Sequence, residues 1–111
     1  GRVLFMTSGQ THGPMPGEVA YASAKGALAQ ITPTIAAELG PAGITVNTVD
    51  PGPVRTGYIE GELLDRVVPV FALGRLGEPD DPARLPAWPA TDEAAWITGQ
   101  VISSEGGFRF T

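Results

Sequence analysis

Val3-Leu4-Phe5-Met6 places apolar side chains on both faces of an extended run, so residues 2–7 predict a buried strand. Residues 8–18 are dominated by Gly, Pro, Ser and Thr and predict a loop. Over residues 19–39 the period becomes helical: Ala24, Leu28, Ile31, Ile35 and Leu39 recur at spacings of three and four and form one apolar stripe. Pro33 deletes a backbone hydrogen bond there and predicts a kink, and Gly40-Pro41-Ala42-Gly43 stops the helix. Residues 44–49 are rich in β-branched side chains and predict a second strand, ended by the turn Asp50-Pro51-Gly52-Pro53. A weaker helical pattern with Leu63, Leu64, Val67 and Val68 covers residues 57–73, followed by a hinge-like loop over 74–79. Residues 80–96 predict another helix, with Asp80 or Asp81 as cap and Pro82 in its first turn. Pro86 and Pro89 break or shorten it, and a last strand near residues 100–103 leads into Glu105-Gly106-Gly107-Phe108.

Strand, helix, strand, helices, strand is the order of an α/β fold, with about three parallel strands joined by right-handed crossovers. There is no repeat, low-complexity tract or linker, so residues 1–111 predict a single domain. A chain of this length buries roughly two thirds of its unfolded surface, enough for a real core. The first residues already lie inside a strand-like run. That predicts a fragment of a longer protein, the alternative being a small protein with an N-terminal strand.

Composition removes several chemistries. The absence of cysteine excludes disulfides, thiolate metal sites and thiol nucleophiles. One histidine, His12, makes neither a metal site nor a Ser-His-Asp triad by itself. A net charge of -5 gives no electrostatic footprint for nucleic acid or an anionic membrane, and no apolar run approaches a membrane span. No signal peptide is expected at the start of the chain.

The remaining chemistry sits at the start of the long helix, in Tyr21-Ala-Ser-Ala-Lys25. Residues four apart lie one above the other on a helix, so the phenol and the ammonium share a face. An ammonium beside a phenol favours the phenolate, and a helix N-terminus acts in the same direction. Alone, Tyr-x-x-x-Lys fits equally a core tyrosine beside a solvated lysine. Ser8 follows the first strand thirteen positions earlier and comes within reach of the same pocket. The second strand ends in Asn47-Thr48-Val49-Asp50-Pro51-Gly52-Pro53-Val54-Arg55-Thr56, and the chain closes with Ile97-Thr98-Gly99-Gln100-Val101 and Glu105-Gly106-Gly107.

In this order and spacing the three blocks resemble the short-chain dehydrogenase/reductase family. The stretch from Thr7 to Glu18 is most similar to its ketoacyl-carrier-protein-reductase-like members. The resemblance implies a partial Rossmann-like doubly wound fold, the C-terminal half of the family's domain, in a cytoplasmic NAD- or NADP-dependent oxidoreductase. It implies Tyr21 as general acid-base toward a small carbonyl or alcohol substrate. Lys25 would lower the tyrosine pKa and hold the nicotinamide ribose, and Ser8 would bind the substrate oxygen. Pro51, Gly52, Val54 and Thr56 resemble the segment that holds the nicotinamide carboxamide, although Gly52 also reads as a residue needed only for a tight turn. The family's habit of assembling through its long helix and last strand implies a homo-oligomer.

The glycine-rich turn that receives a dinucleotide pyrophosphate has no match here. The same is true of the residue that chooses NAD or NADP and of the asparagine that completes the family's tetrad. Two other readings therefore stand beside the enzyme: an inactive remnant serving as an oligomerising structural or binding module, and a half-enzyme completed by another chain. His12, in the loop before Tyr21, reads as a substrate contact or, by default, as a solvated loop residue. Trp88 and Trp96 read as core or interface packing, and Arg55, Arg66, Arg75 and Arg84 as solvated charges.

Overall fold

The computed structural model of the chain describes residues 1–108. Strand β1 (Arg2–Met6) leads through a 3-10 turn, Gly9–Thr11, to helix α1 (Val19–Leu39) and then to β2 (Thr45–Asp50). Two short helices follow, α2 (Gly61–Val67) and α3 (Asp80–Ala87), before β3 (Val101–Ser103). The strands form one parallel sheet in the order β1-β2-β3, with Val3 opposite Val46 and Val49 opposite Ile102. The α/β architecture read from the hydrophobic pattern is the one observed.

The central strand is the core. All six residues of β2 are buried, because it is paired on both edges and α1 lies across it. The contact between α1 and β2 is partly polar: the Thr32 hydroxyl donates to the Leu28 carbonyl at 2.6 Å and meets the Thr48 hydroxyl, both threonines being fully buried. The buried face of α1 also differs from the predicted stripe. Leu28, Ile35 and Leu39 are partly buried as expected, but Ala24 and Ile31 are exposed. In their place Ala22, Gly26, Ala29, Thr32 and Ala36 turn inward. Small side chains let the helix sit close to its neighbours: a methyl group built on Gly99 would lie 3.6 Å from the Ala36 Cβ. Large apolar residues would hold the two apart.

The later helices are shorter than predicted. Residues 57–73 contain only α2 and a 3-10 turn, Val68–Val70, and residues 80–96 divide into α3 and two 3-10 turns, Trp88–Ala90 and Asp92–Ala94. The divisions fall at the prolines, as their missing N–H groups require. Pro79, not an aspartate, caps α3, and the Asp81 carboxylate instead accepts the Glu78 N–H at 2.8 Å. Arg75 grips the same carboxylate with both terminal nitrogens, and Arg55 reaches Glu78 at 3.0 Å, so neither arginine is merely solvated. Phe71 and Leu76 are buried in this region, with the Phe71 and Phe108 rings 5.1 Å apart. Trp96 is 97% exposed and Trp88 41%, so within the chain Trp96 packs against nothing substantial. Among the described residues no helix is long and apolar enough to cross a membrane.

Candidate active site

The C-terminal ends of β1 and β2 and the first turns of α1 meet at one side of the molecule. Thr7, buried at the end of β1, ties these elements together. Its N–H donates to the Val49 carbonyl at 2.9 Å and its hydroxyl to the Lys25 carbonyl at 2.7 Å. The Lys25 ammonium donates in turn to the Met6 carbonyl at 3.0 Å. Two bonds therefore join the end of β1 to the second turn of α1, and Ser8 follows directly. Thr7 is a positioning residue that pattern and motif did not single out.

Tyr21 and Lys25 stand one helical turn apart, with the ammonium 6.0 Å from the centre of the phenol ring. Tyr21 is 43% exposed and opens to a cleft of about 420 Å³. Ser8, His12, Tyr21, Pro51 and Gly52 all line that cleft, and Val54 and Thr56 line an adjoining one that also includes Ser8, Tyr21 and Gly52. Six of the seven residues singled out from sequence thus lie on connected walls. The seventh, Lys25, stands behind Tyr21 and lines neither cleft.

The turn after β2 is shaped by a close approach. Gly52 has φ +65°, and a Cβ there would lie 2.5 Å from the Glu105 Cβ and 2.8 Å from its Cα. Its N–H donates to the Asp50 carboxylate at 3.0 Å. Gly52 is therefore required by the backbone, which accounts for it without any ligand. Val54 is held by a bridge to Gly77, and the Arg55 N–H donates to the Gly77 carbonyl at 2.8 Å.

His12 departs from its default reading. Its side chain is 17% exposed, and Nε2 lies 2.8 Å from the Asp50 Oδ2 and 3.1 Å from the Glu105 Oε2. Both carboxylates are almost completely buried. The ring is gripped by acids that come from the end of β2 and the segment after β3. Neither acid was singled out for chemistry in the sequence.

The Pro51–Thr56 turn, Tyr21 and Ser8 offer a concave, partly apolar surface with hydroxyl groups. Among the residues around the cleft there is no glycine-rich turn opening a helix for a pyrophosphate, because α1 begins at Val19 after the uncapped Glu18.

Comparison with known proteins gives a consistent picture. A family model described as enoyl-(acyl carrier protein) reductase matches residues 1–109. The chain is 54% identical over 108 residues to the uncharacterized oxidoreductase YjdA of Bacillus subtilis, covering 97% of this chain and 43% of that protein. It is 38% identical over 112 residues to an NADPH-dependent aldehyde reductase-like protein of Arabidopsis thaliana, covering 97% of this chain and 42% of the relative. A solved short-chain dehydrogenase/reductase from Serratia marcescens superposes with a TM-score of 0.86 at 38% identity, over 98% of this chain and 46% of that one. The chain spans less than half the length of these relatives.

Proposed function

From the premise that this chain belongs to the short-chain dehydrogenase/reductase family, we propose that it carries the catalytic side of an NAD- or NADP-dependent oxidoreductase acting on a small carbonyl or alcohol. The observation that carries this reading is the convergence of Ser8 and Tyr21 on one cleft, with the Lys25 ammonium one turn behind the phenol. In the reduction direction the Ser8 hydroxyl donates to the substrate oxygen and orients the carbonyl. Tyr21 transfers its phenolic proton to that oxygen as the C–O double bond opens. The Lys25 ammonium stands one helical turn behind that phenol, 6.0 Å from the ring centre. When bound, a nicotinamide would supply the hydride that completes the alcohol. Tyr21, Lys25, Pro51, Gly52, Val54 and Thr56 would hold the nicotinamide and its ribose.

The described residues around the cleft include no glycine-rich turn opening a helix, so the 111-residue chain should bind dinucleotides weakly. The test is cofactor-dependent reduction of a panel of small aldehydes and ketones at millimolar NADH or NADPH. Ser8→Ala and Lys25→Ala should each lower the rate by roughly 100- to 10,000-fold, the usual range for removing acid-base machinery. Rates within twofold of wild type for both variants would refute the assignment.

A second reading, a half-enzyme completed by another chain or an inactive remnant that serves as a binding module, rests on the exposed apolar edge of the sheet. In either case β1 is at the edge of the sheet, and Met6 and Val101 are 39% and 44% exposed. An apolar edge strand with unpaired backbone groups favours pairing with another molecule, so a homo-oligomer belongs to both readings. A cytoplasmic location belongs to them as well.

A further inference from the structure

Past the residues of the catalytic reading, the adjoining cleft has an outer wall of its own. This cleft, of about 780 Å³, contains Ser8 and Tyr21 and extends to Met15, Tyr58 and Ile59. Met15 comes from the loop before α1, and Tyr58 and Ile59 from the segment between β2 and α2, so two separate connections build the wall. Its side chains are large and mostly apolar. Tyr58 is 88% exposed, so the chain itself covers little of the ring. A tyrosine offers a broad amphipathic face with only two side-chain torsions, so little entropy is lost when a ligand covers it. The Met15 thioether is unbranched and adapts to the shape opposite it. Glu18 is the one charged side chain among the described residues that line this cleft, and it is exposed at the start of α1.

We propose that this outer wall holds an uncharged apolar ring attached to the reacting carbonyl, with Tyr58 and Met15 as its specificity-determining contacts. The proposal rests on the oxidoreductase reading, which puts the carbonyl oxygen at Ser8 and Tyr21. A substituent on the carbonyl carbon then extends along the cleft to Met15, Tyr58 and Ile59. Glu18 supplies the repulsive element that specificity also needs, because its carboxylate disfavours an anionic group on that substituent. The substrate class is therefore aryl or cycloalkyl aldehydes and ketones and the matching alcohols. Acyl groups carried on phosphate-bearing thioesters are disfavoured.

The test reads binding without turnover, so its failure is distinct from a failure of hydride transfer. The chain has two methionines, and ¹³C-methyl labelling therefore gives two resonances. Met15 reports from the cleft, and Met6, on β1 and lining neither cleft, is the internal reference. The probes are 4-acetylbenzamide and 4-acetylbenzoate, aryl ketones of nearly equal size that differ by one negative charge. 4-Acetylbenzamide should shift the Met15 methyl saturably and leave Met6 in place. Tyr58→Ala, at an exposed side chain, should weaken that binding about tenfold, the factor for taking roughly 50 Å² of apolar surface out of water. 4-Acetylbenzoate should bind about two- to fivefold more weakly, the range for an exposed charge pair, and Glu18→Gln should close the gap. A Met15 methyl that stays fixed, or moves no more than Met6, would overturn the proposal. So would an affinity for 4-acetylbenzamide that Tyr58→Ala leaves unchanged, or equal binding of the two ketones by the wild-type chain.

Discussion

Replacing Gly52 by alanine tests how tightly the turn after β2 is built. Two costs add. At φ +65° a residue with a Cβ sits in the left-handed region, which costs about 1–2 kcal/mol. The new methyl would also lie 2.5 Å from the Glu105 Cβ and 2.8 Å from its Cα. That second contact is backbone, which no rotamer change relieves, and overpacking of this kind costs typically 1–3 kcal/mol. The sum is about 2–5 kcal/mol, a large share of the roughly 5–15 kcal/mol that holds a domain folded. Gly74→Ala supplies the control. Gly74 has nearly the same φ, +68°, but a Cβ there meets nothing within 4 Å, so only the backbone cost of about 1–2 kcal/mol applies. Urea unfolding followed by circular dichroism gives both values. Equal destabilisation by the two substitutions would refute the claim that Glu105 closes on the turn.

Thr32→Val should destabilise the chain by about 1–3 kcal/mol, because it leaves the fully buried Thr48 hydroxyl without its partner. Thr32→Val/Thr48→Val should then cost less than the sum of the single variants in a urea double-mutant cycle. Hydrogen bonds from Arg75, and then from the Glu78 N–H, hold the Asp81 carboxyl well below the usual carboxylate range. Asp81 stays ionised in the folded chain at pH values where the unfolded chain takes up its proton. The stabilisation is therefore present above pH of about 4 and is lost as pH falls from there through the folded value. Arg75→Ala should flatten this acid-side decline in unfolding midpoints measured from pH 6 to pH 2. Light scattering coupled to size exclusion should show a species of at least twice the 11.5 kDa chain mass, and a clean monomer at high concentration would contradict the edge-pairing expectation.

The sheet and the long helix were legible because their signals are local. An apolar extended run made β1 readable and a β-branched run made β2 readable, and the Asp50-Pro51-Gly52-Pro53 turn marked where β2 ends. Tyr21 and Lys25 were legible for the same reason, since helical spacing alone puts them on one face. The acidic grip on His12 was not, because its partners arrive from the end of β2 and from beyond β3, and nothing in a loop histidine announces carboxylates so distant in sequence. The inward face of α1 was misread where size competes with polarity. Counting large apolar residues selects Ile31, whereas close packing against β2 selects Gly26, Thr32 and Ala36. Thr7 was passed over because a lone threonine at a strand end has no pattern, and its two hydrogen bonds to other elements exist only in the folded chain.

The most direct test of the central claim follows the hydride itself. The chain is incubated with nicotinamide cofactor deuterated at the transferable position and a small aldehyde, and the alcohol is examined by mass spectrometry, which detects even very slow turnover. The account predicts deuterium in the alcohol with the wild-type chain, and at least a 100-fold lower yield with Tyr21→Phe at an unchanged circular dichroism spectrum. Unlabelled alcohol from the wild-type chain, or equal labelling by Tyr21→Phe, would contradict it.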